Sequence, residues 1–81
     1  MKARVFVRLK ASVLDPQGKA VLSGLQGLGF KGLEDVRVGK LIEITFSGAV
    51  HPEDASADVR QMCEKLLANT VIEEFSYEIL D

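Results

Sequence analysis

The chain has 81 residues, 47% of them hydrophobic and 27% charged, with 10 basic and 12 acidic side chains and a formal net charge of -2. That length predicts one domain, residues 1–81, with a thin core that a partner subunit would help to complete, and that charge argues against broad, sequence-independent nucleic-acid binding, which depends on neutralising phosphates. No apolar run approaches the ~20 residues of a membrane span, "MKARVFVRLK" lacks the unbroken apolar stretch of a signal peptide, and the lone Cys63 has no intrachain partner, so the expected compartment is the cytoplasm.

The first element is a strand over residues 3–10. Ala3, Val5, Val7 and Leu9 alternate with Arg4, Phe6, Arg8 and Lys10, the period-two pattern of a half-buried strand. Asp15 then suits a helix N-cap, because its carboxylate accepts the unpaired N–H groups of a first turn. Pro16 fits the first helical position, where its fixed φ is already helical and no N–H is missed. The helix runs from about 16 to 28, with Val21, Leu22, Leu25 and Leu28 as its apolar stripe. Residues 33–38 and 41–46 read as two strands joined at Gly39-Lys40, with Gly39 supplying the positive φ of a two-residue hairpin turn. In the second of these, Ile42, Ile44 and Phe46 share one face.

A polar loop leads to a second helix at about 53–68. Glu53 and Asp54 suit its positive end, and Ala55, Val59, Met62, Cys63 and Leu66 make its stripe. Asn69 fits the left-handed residue that comes after a helix. Residues 71–80 form the last strand, with Val71, Phe75, Tyr77 and Ile79 facing inward. The order β-α-β-β-α-β predicts an α+β two-layer sandwich, a four-stranded antiparallel sheet with both helices on one face; it leaves the strand order open.

Gly27, Gly29 and Gly32 match the spacing G-x-G-x-x-G. A dinucleotide fingerprint comes after a strand and opens a helix. Here the glycines close a helix, whose carbonyl end repels phosphate, so Gly29 is read as the helix cap and Gly32 as part of the turn. His51 lies in a surface loop without metal-ligand company. Cys63 sits on an apolar stripe with nothing beside it in sequence to lower its pKa. Glu73 and Glu74 point to opposite faces of a strand, and Ser12, Ser23, Ser47, Ser56 and Ser76 lack a nucleophile-elbow context. No catalytic constellation emerges. The sheet face away from the helices carries Arg4, Phe6, Arg8, Glu43, Thr45, Ile72, Glu74, Ser76, Glu78 and Leu80. It reads either as a solvated face with cross-strand Arg–Glu pairs or as an interface, since Phe6, Ile72 and Leu80 lie on it.

Three segments, "SVLDPQGKAV" (12–21), "EDVRVGKLIEI" (34–44) and "MCEKLLANTVIEEFSYE" (62–78), together resemble the PurS family, the small subunits of phosphoribosylformylglycinamidine synthase. The likeness runs nearly the whole chain, apart from residues 47–54. It implies a PurS-like, ferredoxin-related fold and a noncatalytic adaptor role in de novo purine synthesis. The adaptor joins a glutaminase subunit (PurQ) to a large ATP-dependent synthetase subunit (PurL), so that ammonia from glutamine reaches formylglycinamide ribonucleotide. ATP and Mg are then used by the synthetase, and this chain itself binds no cofactor.

The positions matching the family motifs are Asp15, Pro16 and Gly18 at the helix start, Arg37, Gly39 and Lys40 at the turn, and Asn69, Thr70 and Val71 after the second helix. All of these except Val71 are the expected partner contacts. Gly18 stands where a capping box places Glu or Gln, which reads either as room for a partner backbone to come close or as a tolerated cost near a helix end. A homodimer or dimer of dimers is expected for the chain alone. The competing reading is a stand-alone ACT-like regulatory domain that binds a small ligand between subunits, which rests on fold analogy.

Overall fold

A computed structural model describes residues 1–81. It holds β1 (Lys2–Leu9), α1 (Pro16–Gly27), β2 (Lys40–Thr45), α2 (Pro52–Met62) with a π-helical turn at Cys63–Leu67, and β3 (Glu73–Leu80). The sheet is three-stranded and antiparallel, in the order β2-β1-β3. The α+β class is as expected; the fourth strand and the second packed helix are not there.

The expected strand at 33–38 is absent. Its backbone finds no neighbouring strand: the Val38 N–H donates to the Asp15 carboxylate at 2.7 Å, and the Arg37 side chain reaches the β1–α1 loop. Alternation of apolar residues shows that a segment can extend, not that it has a partner. The hairpin fails with it, because the positive φ values belong to Gly29 and Gly32 alone. Gly39 serves a different need: a Cβ there would lie 2.6 Å from the Val7 carbonyl oxygen, so the chain enters β2 in backbone contact with β1.

The core lies between the inner face of the sheet and α2. Ala3, Val5 and Val7 from β1 meet Val59 from α2 and Cys63 from the π-helical turn, with Ala68 closing the end. Ile42, Ile44, Phe46, Leu67, Phe75, Tyr77 and Ile79 pack around them, half-buried. Leu66, expected on this stripe, is 83% exposed, and Leu67 takes its place. The π-helical turn is the cause: the Ala68 N–H bonds back to the Cys63 carbonyl at 3.0 Å, an i→i+5 closure that inserts one residue and rotates the next part of the chain.

Val71 is exposed rather than inward-facing, because it precedes β3 in a turn organised by Asn69. The Asn69 side-chain oxygen accepts the Val71 N–H at 3.2 Å, while its own N–H donates to Glu73 Oε1 at 2.7 Å. No residue other than glycine has a positive φ, so Asn69 shapes this turn from ordinary backbone instead of capping the helix in the left-handed region.

The two helices fare differently. α2 packs on β3 and on the π-helical turn at its end, whereas α1 has no comparable contact with any other element. Val21 and Leu28 on its stripe stay 41% and 77% exposed. The molecule is drawn out to 50 × 26 × 15 Å, with a radius of gyration of 16.1 Å, against about 12 Å for a compact chain of this length. No helix is long and apolar enough to cross a membrane.

Candidate functional site

The residues singled out at the helix start and at the turn come together. Asp15 is the N-cap of α1, and its Oδ1 accepts the Gly18 N–H at 2.8 Å. Its Oδ2 accepts the Val38 N–H at 2.7 Å. One carboxylate therefore ties the first turn of α1 to the segment that leads into β2. Asp15 is buried, the only polar or charged side chain that is. The Gly18 and Val38 amides, in that order, hold its carboxyl below the ordinary carboxylate range. Burial pushes the other way, and the Arg37 charge adds to the lowering.

Gly18 completes this clasp. A Cβ on it would sit 2.1 Å from the Val36 carbonyl oxygen and 2.9 Å from Asp15 Oδ2. The backbone that comes close is thus the chain's own at Val36, not that of a partner. Arg37 donates from one Nη to the carbonyls of Lys10 and Val13, both at 2.9 Å, tying the β1–α1 loop to the same segment. Pro16 lies at the start of α1 as expected. Lys40 opens β2, opposite Val7, with its side chain exposed. Asn69 and Thr70 lie apart from this group in the sequence, in the turn before β3, and are exposed.

At the far end of α1 the expected glycine cap is present. The Gly29 N–H bonds to the Gln26 carbonyl at 3.0 Å and the Phe30 N–H to the Leu25 carbonyl at 3.2 Å, with Gly29 at φ 96°. That is the Schellman arrangement, and it leaves the carbonyl pole of the helix, not its amide pole, beside the glycines.

The outer face of the sheet carries the expected cross-strand pairs and an exposed Phe6, whereas Ile72 lies in the turn before β3 and Leu80 is half-buried. Arg4 lies opposite Glu43 and Glu78, at 3.4 and 3.8 Å, and Arg8 opposite Glu74 at 2.6 Å. Between them Phe6 faces Leu41 on one side and Ser76 on the other, and both Phe6 and Leu41 are exposed. A shallow concavity of about 670 Å³ opens here, lined by Phe6, Arg8, Arg37, Lys40, Leu41 and Glu74 among others.

Groups capable of chemistry stay apart. Cys63 is wholly buried, and burial first, then the neighbouring Glu64 charge, push its thiol pKa up, so it stays a protonated packing residue at neutral pH. His51 precedes α2 without capping it and is exposed. What the arrangement supports is presentation: a rigid sheet-and-helix body, and an apolar helix held out from it.

Sequence reasoning missed Val36 and Val38, whose roles are played by backbone atoms. The one available signal was the glycine at the third helical position. Spacing alone gave no hint of what packs there.

Residues 2–81 match the family model PurS: Phosphoribosylformylglycinamidine (FGAM) synthase. The phosphoribosylformylglycinamidine synthase subunit PurS of Bacillus subtilis (strain 168) is 49% identical over 78 residues, covering 96% of this chain and 90% of that protein. The B. subtilis PurS structure superposes with a TM-score of 0.84, at 48% identity over 99% of this chain and 98% of that one. A chain of the Thermotoga maritima PurLQS structure superposes with a TM-score of 0.78, at 27% identity over 98% of this chain and 95% of that one.

Proposed function

The chain belongs to the PurS family of FGAM synthase subunits in purine biosynthesis, and from that premise we propose that it is a noncatalytic adaptor holding the glutaminase subunit (PurQ) and the large synthetase subunit (PurL) together. The observation that carries this reading is its similarity, along nearly its whole length, to a chain of a PurLQS structure. The chemistry asks for such a part. Ammonia released from glutamine must reach the activated amide of formylglycinamide ribonucleotide before bulk water protonates it, and that is a task of orientation and enclosure. It calls for firm surfaces rather than acids, bases or nucleophiles. ATP and Mg belong to the synthetase in this reading, and the chain itself carries no cofactor.

The adaptor works as a homodimer or a dimer of dimers. Its support is the exposed stripe of α1 with Leu28 and Phe30 beyond it, on a chain far more extended than its length requires. A helix of 12 residues is marginal alone in water, so its apolar face is expected to be covered. Asp15, Pro16, Gly18, Arg37, Gly39 and Lys40 then contribute to assembly mainly by shaping the α1–sheet junction. Asn69 and Thr70, with the outer sheet face around Phe6 and Leu41, are the surfaces left for the larger subunits.

The test is reconstitution. Purified chain is mixed with the cognate glutaminase and synthetase, and glutamine-dependent FGAM formation is monitored. Formation is expected to require the chain, with ammonia-dependent formation far less affected. Glutamine-dependent turnover that is the same with and without the chain would overturn the adaptor reading. Sedimentation of the chain alone is expected to show twice its 8.8 kDa mass or a multiple of that.

A further inference from the structure

The apolar stripe of α1 and a half-covered apolar strip on the inner face of β2, Ile42 and Ile44, lie in the same chain without meeting. The connection does not forbid the meeting. Residues 10–15 link β1 to α1, a loop length that commonly lets a helix fold back on the strand before it. Something else holds α1 away. We propose that the junction of Asp15, Gly18, Val36, Arg37 and Val38 is an orientation lock, which stops α1 from closing onto its own sheet and fixes the angle at which a second copy receives it. The lock's role toward a second copy rests on the homodimer reading.

A helix tied to a body at one point can swivel about it, so the number of attachment points matters. Here the first turn of α1 is tied through Asp15 to Val38, two residues before β2 begins. It is pressed through Gly18 onto the Val36 carbonyl, with no room for a Cβ between them. The loop behind it is tied through Arg37 to the carbonyls of Lys10 and Val13. Several attachments to one short segment, residues 36–38, restrict the swivelling that a single tether would allow. β2 is in turn fixed to β1 by six residue pairs of antiparallel ladder, so the helix takes its direction from the sheet itself.

The choice of aspartate points the same way. Capping α1 takes one acceptor oxygen, and serine, threonine or asparagine would supply it. Asp15 uses both oxygens, one for the cap and one for Val38. The second bond does nothing for the helix as a helix; it fixes where the helix points. Gly18 is explained in the same terms. A mid-turn glycine weakens the helix, yet any side chain there would push α1 away from Val36.

Asp15→Ser and Gly18→Ala separate orientation from folding. The first keeps a capping oxygen and loses the tie to Val38; the second adds a methyl group against Val36. Spin labels are attached through Gln26→Cys at the end of α1 and Gln61→Cys on α2, both exposed positions, in a Cys63→Ala background. Labelled chain is diluted into excess unlabelled chain, so that distances within one chain are read by pulsed electron spin resonance. The otherwise unsubstituted labelled chain is expected to give one narrow distance distribution. Both variants are expected to give broader distributions reaching shorter distances, with unchanged circular dichroism, and a dimer dissociation constant raised roughly tenfold by the smaller share of chains in the receptive orientation. Distributions indistinguishable from those of the unsubstituted chain in both variants would overturn the lock, as would loss of folded circular dichroism in both. An unsubstituted chain that sediments only as a monomer removes the homodimer reading, while the distance distributions still decide the lock.

Discussion

The sheet with α2 and the arm formed by α1 with residues 28–39 use similar side chains to opposite ends. Val5, Val7, Val59 and Cys63 disappear completely between β1 and α2. Val21, Leu28 and Phe30, no less apolar, remain in view along the arm. Both helices begin with proline, and both carry a stripe at helical spacing, although only α1 has a side-chain cap. The difference is not in how well each helix is made but in what each is given to pack on. α2 returns along the sheet to β3, which places it over β1. α1 is directed by its clasp to a place where no strand or other helix covers its stripe, and Val21 and Leu28 stay exposed. An amphipathic stripe says that a face will be covered; it does not say by which molecule.

The sharpest way to test this contrast is to place a charge in each half. Val59→Asp sets a carboxylate in the dry centre of the core, with no partner within the cluster. An unpaired buried charge costs several kcal/mol, comparable to the whole stability of a small domain. The expected outcome is loss of the cooperative melt in circular dichroism, whereas Val59→Ala should cost about 2 kcal/mol in urea unfolding.

Leu25→Asp is the matching change on the arm. Its effect on the stability of a single chain should be under about 1 kcal/mol, the helix-propensity cost of a half-exposed position. The dimer should weaken much more. Loss of about 2 kcal/mol of leucine burial raises the dissociation constant roughly 30-fold, measurable by sedimentation across a concentration series. Equal loss of folding in both variants would erase the distinction between the halves.

Legibility in the sequence divides along the same line. β1 was readable because alternation over Ala3 to Leu9 and burial on one face are the same fact seen twice. The Asp15 cap, the Pro16 start and the Gly29 end of α1 were readable because capping is local chemistry, decided within a few residues. The strand expected at 33–38 does not form, since the donor at Val38 is claimed by a carboxylate 23 positions earlier, and no local pattern carries that information. The packing of α1 departs from expectation for a similar reason. A two-layer sandwich is the least elaborate way for one chain to bury two stripes, and this chain buries only one. At the site, Asp15, Gly18, Arg37 and Gly39 were found through motif and family resemblance, but their meeting place was not foreseeable from spacing.

The π-helical turn offers a finer test, within the well-packed half. One inserted residue exchanges Leu66 for Leu67 on the core side. Leu67→Ser should cost about 1 kcal/mol, roughly half the value of a fully buried leucine, while Leu66→Ser should stay within about 0.5 kcal/mol. A regular α-helix through residue 67 would reverse the two. Urea unfolding of the pair therefore reads the helix register directly.

Acid should have the smallest effect on the core and a selective one on the arm. Asp15 bonds in its ionised form, and its amide partners hold its pKa below the ordinary carboxylate range. A group lowered in this way contributes fully above its unfolded value, near pH 4, and its contribution is lost as pH falls through the still lower folded value. The sheet core contains no carboxylate, Asp15 being the only buried polar or charged residue in the chain, and the Cys63 thiol, pushed up, is already neutral. The difference between the unsubstituted chain and Asp15→Asn should therefore lie in the arm. At pH 7 the Gly18 and Val38 amide resonances of the two proteins should differ; below pH 4 the differences should shrink as the unsubstituted chain loses its carboxylate. Melting of the core should differ between the two by no more than roughly 2 °C at either pH. A core melt that tracks the ionisation of Asp15 would mean that the clasp belongs to the packed half after all, and the two regions would have to be treated as one.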